Sequence, residues 1–249
     1  MDRKIYKFPF SQVGLTRIPC PRCASGLLRH AKDSFHSKEL VNSKAAHNED
    51  WWDPEFIELT FCCLFTCSNS LCKETIACAG TGSVQQDYGY DEPEITYNEY
   101  FKPKFFWPHL KFFRFPKSTP DNVSSEINKS FELVFSDASS AANHIRIALE
   151  HLLTMLKVKR LSTRGGRRTY LALHNRIDLL PTRLSDLKEL FLAIKWLGNA
   201  GSHSNTSVEM DDIFDAFELM EELLKVIYAN ESKRLRTLAQ KINKKKGPK

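Results

Sequence analysis

The chain has no long apolar run. No stretch of its 249 residues approaches the roughly eighteen apolar residues that a membrane-spanning helix needs. The opening Met1-Asp-Arg-Lys-Ile-Tyr-Lys-Phe-Pro holds no apolar run of signal-peptide length. These absences predict a cytoplasmic protein with no membrane partner. Familiar catalytic signatures are missing as well. There is no phosphate-binding glycine loop, no HExxH zinc-protease helix and no Gly-x-Ser-x-Gly elbow. Cysteine is scarce and odd in number, at seven, which argues against a fully paired disulfide set, and in a reducing compartment cysteine pairs read first as metal ligands.

Four of those cysteines form two short pairs, Cys20-Pro-Arg-Cys23 and Cys67-Ser-Asn-Ser-Leu-Cys72. Each pair suits a tight turn that points two thiolates at one place, and Zn²⁺ favours four soft ligands in a closed tetrahedron. The spacing therefore predicts a structural Zn²⁺ held by Cys20, Cys23, Cys67 and Cys72 in a small β zinc ribbon over residues 1–85. His30, His36 and His47 are weaker alternatives because each stands alone. Runs such as Glu55 to Cys67 and Glu74 to Ala79 supply the ribbon's strands. Cys63 shares a strand face with Cys67 and Cys62 has the other; with Cys78 they are assigned to packing.

Hydrophobic residues at 42% and charged residues at 27% describe an ordinary globular protein. The net charge of +6 is uneven, with residues 120–249 holding 21 Lys and Arg against 16 Asp and Glu. Lys157, Lys159, Arg160, Arg164, Arg167 and Arg168 crowd one loop, and Lys244, Lys245, Lys246 and Lys249 lie in a basic tail over 242–249. Such clusters attract phosphates, although a solvated loop and tail carry the same composition. The opposite charge dominates Glu209 to Glu222, whose seven carboxylates have no Lys or Arg among them, as in a partner-docking face or a solvated helix face.

Residues 86–121 interleave Tyr88, Tyr90, Tyr97, Tyr100, Phe101, Phe105, Phe106, Trp107, Phe112, Phe113 and Phe115 with five prolines. So many aromatics exclude a free linker, and so many prolines exclude one long helix. The composition predicts an extended strap along the helical domain. Its alternative is a base-stacking surface, since Lys102, Lys104, Lys111, Arg114 and Lys117 lie among the rings.

From Pro120 the apolar spacing becomes helical. Val123, Ile127, Phe131 and Val134 follow a capping Asp121 or Asn122, and Ala138 to Leu156 continue at spacings of three and four. A third helix is expected over 169–180, a fourth from Leu184 to Leu197, a fifth from Ile213 to Ile227, and a short basic helix to about Lys241. The overall expectation is an α+β chain, a β ribbon followed by a mainly helical bundle over 122–241. The fourth stripe ends in Gly198, Asn199, Gly201 and His203, where small residues permit close approach and His203 is either a capping residue or a catalyst.

Taken in order, Cys20-Pro-Arg-Cys23, Cys67 to Cys72, Phe115-Pro with Pro120-Asp-Asn-Val123, Ala141-Ala-Asn-His-Ile-Arg-Ile-Ala-Leu-Glu150 and Leu197-Gly-Asn-Ala-Gly-Ser-His203 resemble the domain-of-unknown-function family 4145, a branch of the HEPN superfamily of helical bundles. The resemblance implies a nucleic-acid effector, with RNA as first partner, acting as a homodimer in a toxin, restriction or phage-defence system and met there by an antitoxin or defence partner. In related ribonucleases an Arg and a downstream His let a ribose 2′-OH attack its own 3′-phosphate without a metal. The His moves protons and the Arg stabilises the crowded phosphorane. The resemblance assigns proton transfer to His203 and positioning to Asn199. It places Gly198 where the Arg would stand, which leaves Lys195, one turn earlier, as the substitute cation. Arg164, Arg167, Arg168, Lys159 and Arg160 are the expected nucleic-acid contacts. Arg146 and Glu150, at i and i+4, are expected as an ion pair or as support for the His203 cleft. The alternative is a non-enzymatic dimeric module that binds nucleic acid, a nucleotide signal or a partner protein.

Overall fold

The structure, a computed structural model, describes residues 2–7, 9–11, 17–88, 95–164, 167–200, 207–228 and 238–244. It is mixed α and β, with an antiparallel sheet first and helices after. Two compact units emerge. One comprises Met1–Lys111 with Phe131–Asp137, the other Phe112–Ser130 with Ala138–Lys249.

The first unit opens with the short helix α1 (Lys4–Lys7). Its sheet contains β1 (Leu28–His30), β2 (His36–Glu39), β3 (Glu58–Cys67), β4 (Thr75–Tyr88) and β5 (Ile95–Trp107), with the small helix α2 (Val41–Ala45) before β3. The order is β1-β3-β4-β5, and β2 shares the β1 edge of β3. Alternation along β3 buries Leu59, Phe61, Cys63, Phe65 and Cys67 and leaves Thr60, Cys62 and Leu64 on the other face. The buried face meets Phe10, His30, Phe35 and Phe101, with ring centroids 4.7 to 6.5 Å apart. Phe10 pairs with Phe101 as an isolated bridge.

β5 differs from the expected strap. Residues 95–107 pair with β4 from Tyr88↔Ile95 to Ala77↔Trp107, because aromatic and apolar side chains at alternate positions satisfy a sheet face as readily as a helical groove. Pro103 is accommodated where the register shifts between Ala79 and Gly80.

The second unit contains α3 (Asp121–Leu133, its last turn in the first unit), α4 (Ala138–Met155), the hairpin β6 (Leu161–Arg164) and β7 (Arg167–Tyr170), α5 (Leu173–Asp178), α6 (Lys188–Ala200) and α7 (Met210–Tyr228). The core lies along α4, where Ile145, Leu149, Leu152 and Leu153 are buried, with Phe191 and Ile194 of α6 and Phe214, Phe217 and Met220 of α7. Residues 238–244 are helical. A helix over 169–180 is not found. The hairpin occupies its first residues and α5 spans only six, since Thr163 and Thr169 favour strands and β6 pairs with β7 from Leu161↔Tyr170 to Arg164↔Arg167. Among the described residues no helix is long and apolar enough to cross a membrane.

Candidate functional site

Two turns at one end of the sheet bring four sulfur atoms together. Cys20 and Cys23 stand on the turn before β1, Cys67 ends β3, and Cys72 lies in the loop to β4. Ala24 N donates to Cys20 O at 2.9 Å, and Cys72 N and Lys73 N donate to Asn69 O at 2.9 and 3.0 Å. Ala24 and Lys73, each directly after the second cysteine of its pair, adopt φ of 57° and 47°, so the turns are built alike. Cys20 Sγ lies 3.8 Å from Cys72 Sγ, and Cys23 Sγ lies 3.6 Å from Cys67 Sγ. All four sulfurs fall within 4.8 Å of one another.

That geometry fits a metal ion. A regular tetrahedron with metal–sulfur distances of about 2.3 Å has edges of about 3.8 Å. Gly26 N and Asn69 N each donate to a sulfur, Cys23 Sγ and Cys67 Sγ, at 3.4 Å. The Ser25 hydroxyl and then the Gly26 N–H draw the Cys23 thiol down to about 5, whereas burial pushes the Cys67 thiol up to about 12. Ionising one sulfur holds its neighbour's proton in place, a conflict that a divalent cation removes. Gly26 also belongs to the site. A Cβ there would overlap Cys67 Sγ and stand 2.9 Å from Asn69 Cβ.

The remaining candidate ligands lie elsewhere. Cys63 and Cys78 face each other across β3 and β4 and are buried, while Cys62 is exposed. His30 packs edge-on against Phe65 at 4.7 Å, and burial lowers its pKa. His47 approaches Glu39 at 2.7 Å, and His36 is exposed on β2.

In the second unit α6 crosses α4 at Gly198. Gly198 is buried there, and a Cβ on it would stand 2.6 Å from Arg146 Cβ and 3.2 Å from Ala142 O. α4 leaves no room for a side chain at position 198. Arg146 turns its guanidinium along α4 to Glu150, 3.3 Å away, while its Nε is buried with no hydrogen-bond partner among the described residues. The pair is therefore an ion pair, as one of the two expectations held. Lys195 is buried, with its Nζ 3.1 Å from the centre of the exposed Trp196 ring. Asn199 is half-buried in the last turn of α6. His203 lies outside the described residues.

The basic loop is a hairpin. Lys159, Arg160, Arg167 and Arg168 are exposed on or beside it, and Arg164 pairs with Arg167 through the backbone. At its base lies Arg176, a residue that sequence reasoning did not single out. It is 5% exposed and donates to Lys159 O at 3.3 Å, Glu150 O at 3.2 Å and Thr154 Oγ1 at 2.9 Å. Its place in a short polar segment carried no signal, because only the packing of α5 on α4 buries it. In the acidic stretch, Glu221 pairs with Lys225 of the next turn at 2.8 Å.

No curated protein and no solved structure matches the chain. Two family matches cover most of it: residues 8–106 match the Domain of unknown function (DUF8608), and residues 128–245 match the Domain of unknown function (DUF4145).

Proposed function

We propose that this chain is a HEPN-type nucleic-acid effector that cleaves RNA by metal-independent attack of a ribose 2′-OH, with a structural Zn²⁺ holding the cysteine ribbon. The observation that carries the catalytic half is the packing of Gly198 on Arg146. The arginine absent from position 198 is matched by one on the helix it touches. In this scheme His203 moves the proton of the 2′-OH or the leaving oxygen. Arg146 stabilises charge on the phosphorane, and Asn199 orients the phosphate. Lys195 is the weaker candidate cation, because its ammonium offers no bidentate fork. The Zn²⁺ would be held by Cys20, Cys23, Cys67 and Cys72. Four sulfur ligands complete a tetrahedron, so the ion fixes the fold and takes no part in cleavage.

The test is incubation of wild type, His203→Ala and Arg146→Ala with total RNA in chelator, with 2′,3′-cyclic phosphate ends as the readout. Each substitution is expected to slow cleavage by about 10²-fold or more. Identical profiles from wild type and His203→Ala would end the nuclease reading.

The exposed cations of the hairpin favour a second reading, a homodimeric module that binds RNA, or a defence or antitoxin partner, without cutting. Binding would then survive His203→Ala and weaken, with a shallower salt dependence, when Arg167 and Arg168 are neutralised.

A further inference from the structure

The outward face of the sheet has a composition that neither functional reading uses. Register places its residues in rows across the strands. His36, Cys62, Ala79 and Phe105 form one row; Lys38, Thr60, Thr81 and Lys102 form the next; Leu64, Ala77 and Trp107 lie on the other side of the first. Large apolar groups stand in the open here, with Leu64 41%, Phe105 45% and Trp107 55% exposed. Between the rings of β5 and Leu64 of β3, the central strand contributes only the methyl groups of Ala77 and Ala79, so the floor is low and flat. Phe105 and Trp107 are two residues apart on one strand face, about 7 Å along it.

Charge is arranged around that shelf. Lys38, Lys102 and Lys104, the last at the register shift, are exposed and make no ion pair among the described residues. The three rows contain no carboxylate. The nearest acids on the same face are Glu58, one row further along, and Asp87, whose carboxylate accepts from Tyr100 and Asn98 at 2.7 Å. Thr60 and Thr81 add hydroxyls between the lysines.

We propose that this face binds single-stranded nucleic acid, with bases stacking on Phe105 and Trp107 and phosphates lying along Lys38, Lys102 and Lys104. Aromatic faces accept any base and lysines accept any phosphate, so binding is sequence-tolerant and salt-sensitive. A duplex hides its bases from such a shelf, whereas a single strand presents them. The site is independent of the chemistry proposed for His203.

The test is fluorescence anisotropy of labelled 12-nucleotide single-stranded RNA, single-stranded DNA and duplex on the full-length His203→Ala chain, which prevents cleavage. Phe105→Ala/Trp107→Ala is expected to weaken single-strand binding by about 100-fold or more, at about tenfold per ring. Lys102→Gln/Lys104→Gln should weaken it less and flatten its salt dependence. Circular dichroism checks folding, which these exposed residues should not disturb. Trp107→Phe, which keeps a stacking ring, should retain most of the affinity. An unchanged Kd in the double aromatic variant would overturn the proposal, as would duplex binding as tight as single-strand binding. So would a shift from dimer to monomer in that variant, because it would make the face a contact between copies.

Discussion

At the cysteine cluster Gly26 clears room for the Cys67 sulfur, and at the α4–α6 crossing Gly198 clears room for the Cβ of Arg146. Both sites need a missing side chain, yet they are assembled differently. The cluster takes its sulfurs from two local turns joined by one strand pairing, Leu28↔Cys67, so short-range spacing nearly defines it. The crossing draws Arg146 and Gly198 from helices joined only through the packing of a whole core. A motif spaced along the chain is therefore a safer guide to the first kind of site, where each half carries its own pair, than to the second, where the decisive partner has no spacing signal.

The largest test of this contrast is removal of the Zn²⁺ proposed for the cluster. A structural Zn²⁺ contributes on the order of 10 kcal/mol of apparent binding free energy, comparable with the entire stability of a small domain. Cys67→Ser, or strong chelation of the wild type, should therefore make residues 1–111 sensitive to limited proteolysis and abolish stoichiometric zinc on metal analysis. Unchanged proteolysis after complete metal loss would show that the sheet holds the turns unaided.

Gly198→Ala probes the other site. On an open helix face the change would stabilise by up to about 1 kcal/mol. Here the new Cβ must displace α4, at a cost of about 1–3 kcal/mol. Urea unfolding should show a lower midpoint, and a stabilised variant would mean that the crossing is looser than described.

A smaller effect is expected from Glu126, which links α3 to α4. Burial alone would raise its carboxyl, but hydrogen bonds from Lys129 and His144, both at 2.7 Å, outweigh burial and hold it below the ordinary range. A depressed carboxyl stabilises fully above its unfolded pKa of about 4.3 and loses that contribution as the pH falls through its folded value. Glu126→Gln should therefore be less stable than wild type at pH 7 by about 1 kcal/mol and converge with it toward pH 3. A gap that persists at pH 3 in urea titrations would assign the effect to packing.

The legible parts of the fold share one property, a regular repeat. The alternation Leu59, Phe61, Cys63, Phe65 revealed β3, and the threefold and fourfold spacings of α4 and α7 revealed the helices. The aromatic segment misled because its rings and prolines suit an extended chain of any kind, and pairing with β4 decided which. The hairpin at 161–170 was hidden by its charge, which suggested a loop. Arg176 was invisible because burial of a polar residue belongs to its neighbours and not to its own sequence. His203, the residue on which the family resemblance leans most, lies outside the described residues.

The sequence by itself determined the two cysteine pairs, the division into a strand-rich beginning and a helical remainder, and the glycine at position 198, because each is a matter of residue identity and short-range spacing. Only the tertiary structure decided that α4 packs against position 198 with Arg146 beside it, and that Phe105 and Trp107 face outward while Phe101 and Phe106 are buried. Those outcomes depend on strand register and helix packing, in which a shift of one residue reverses which side chains meet solvent.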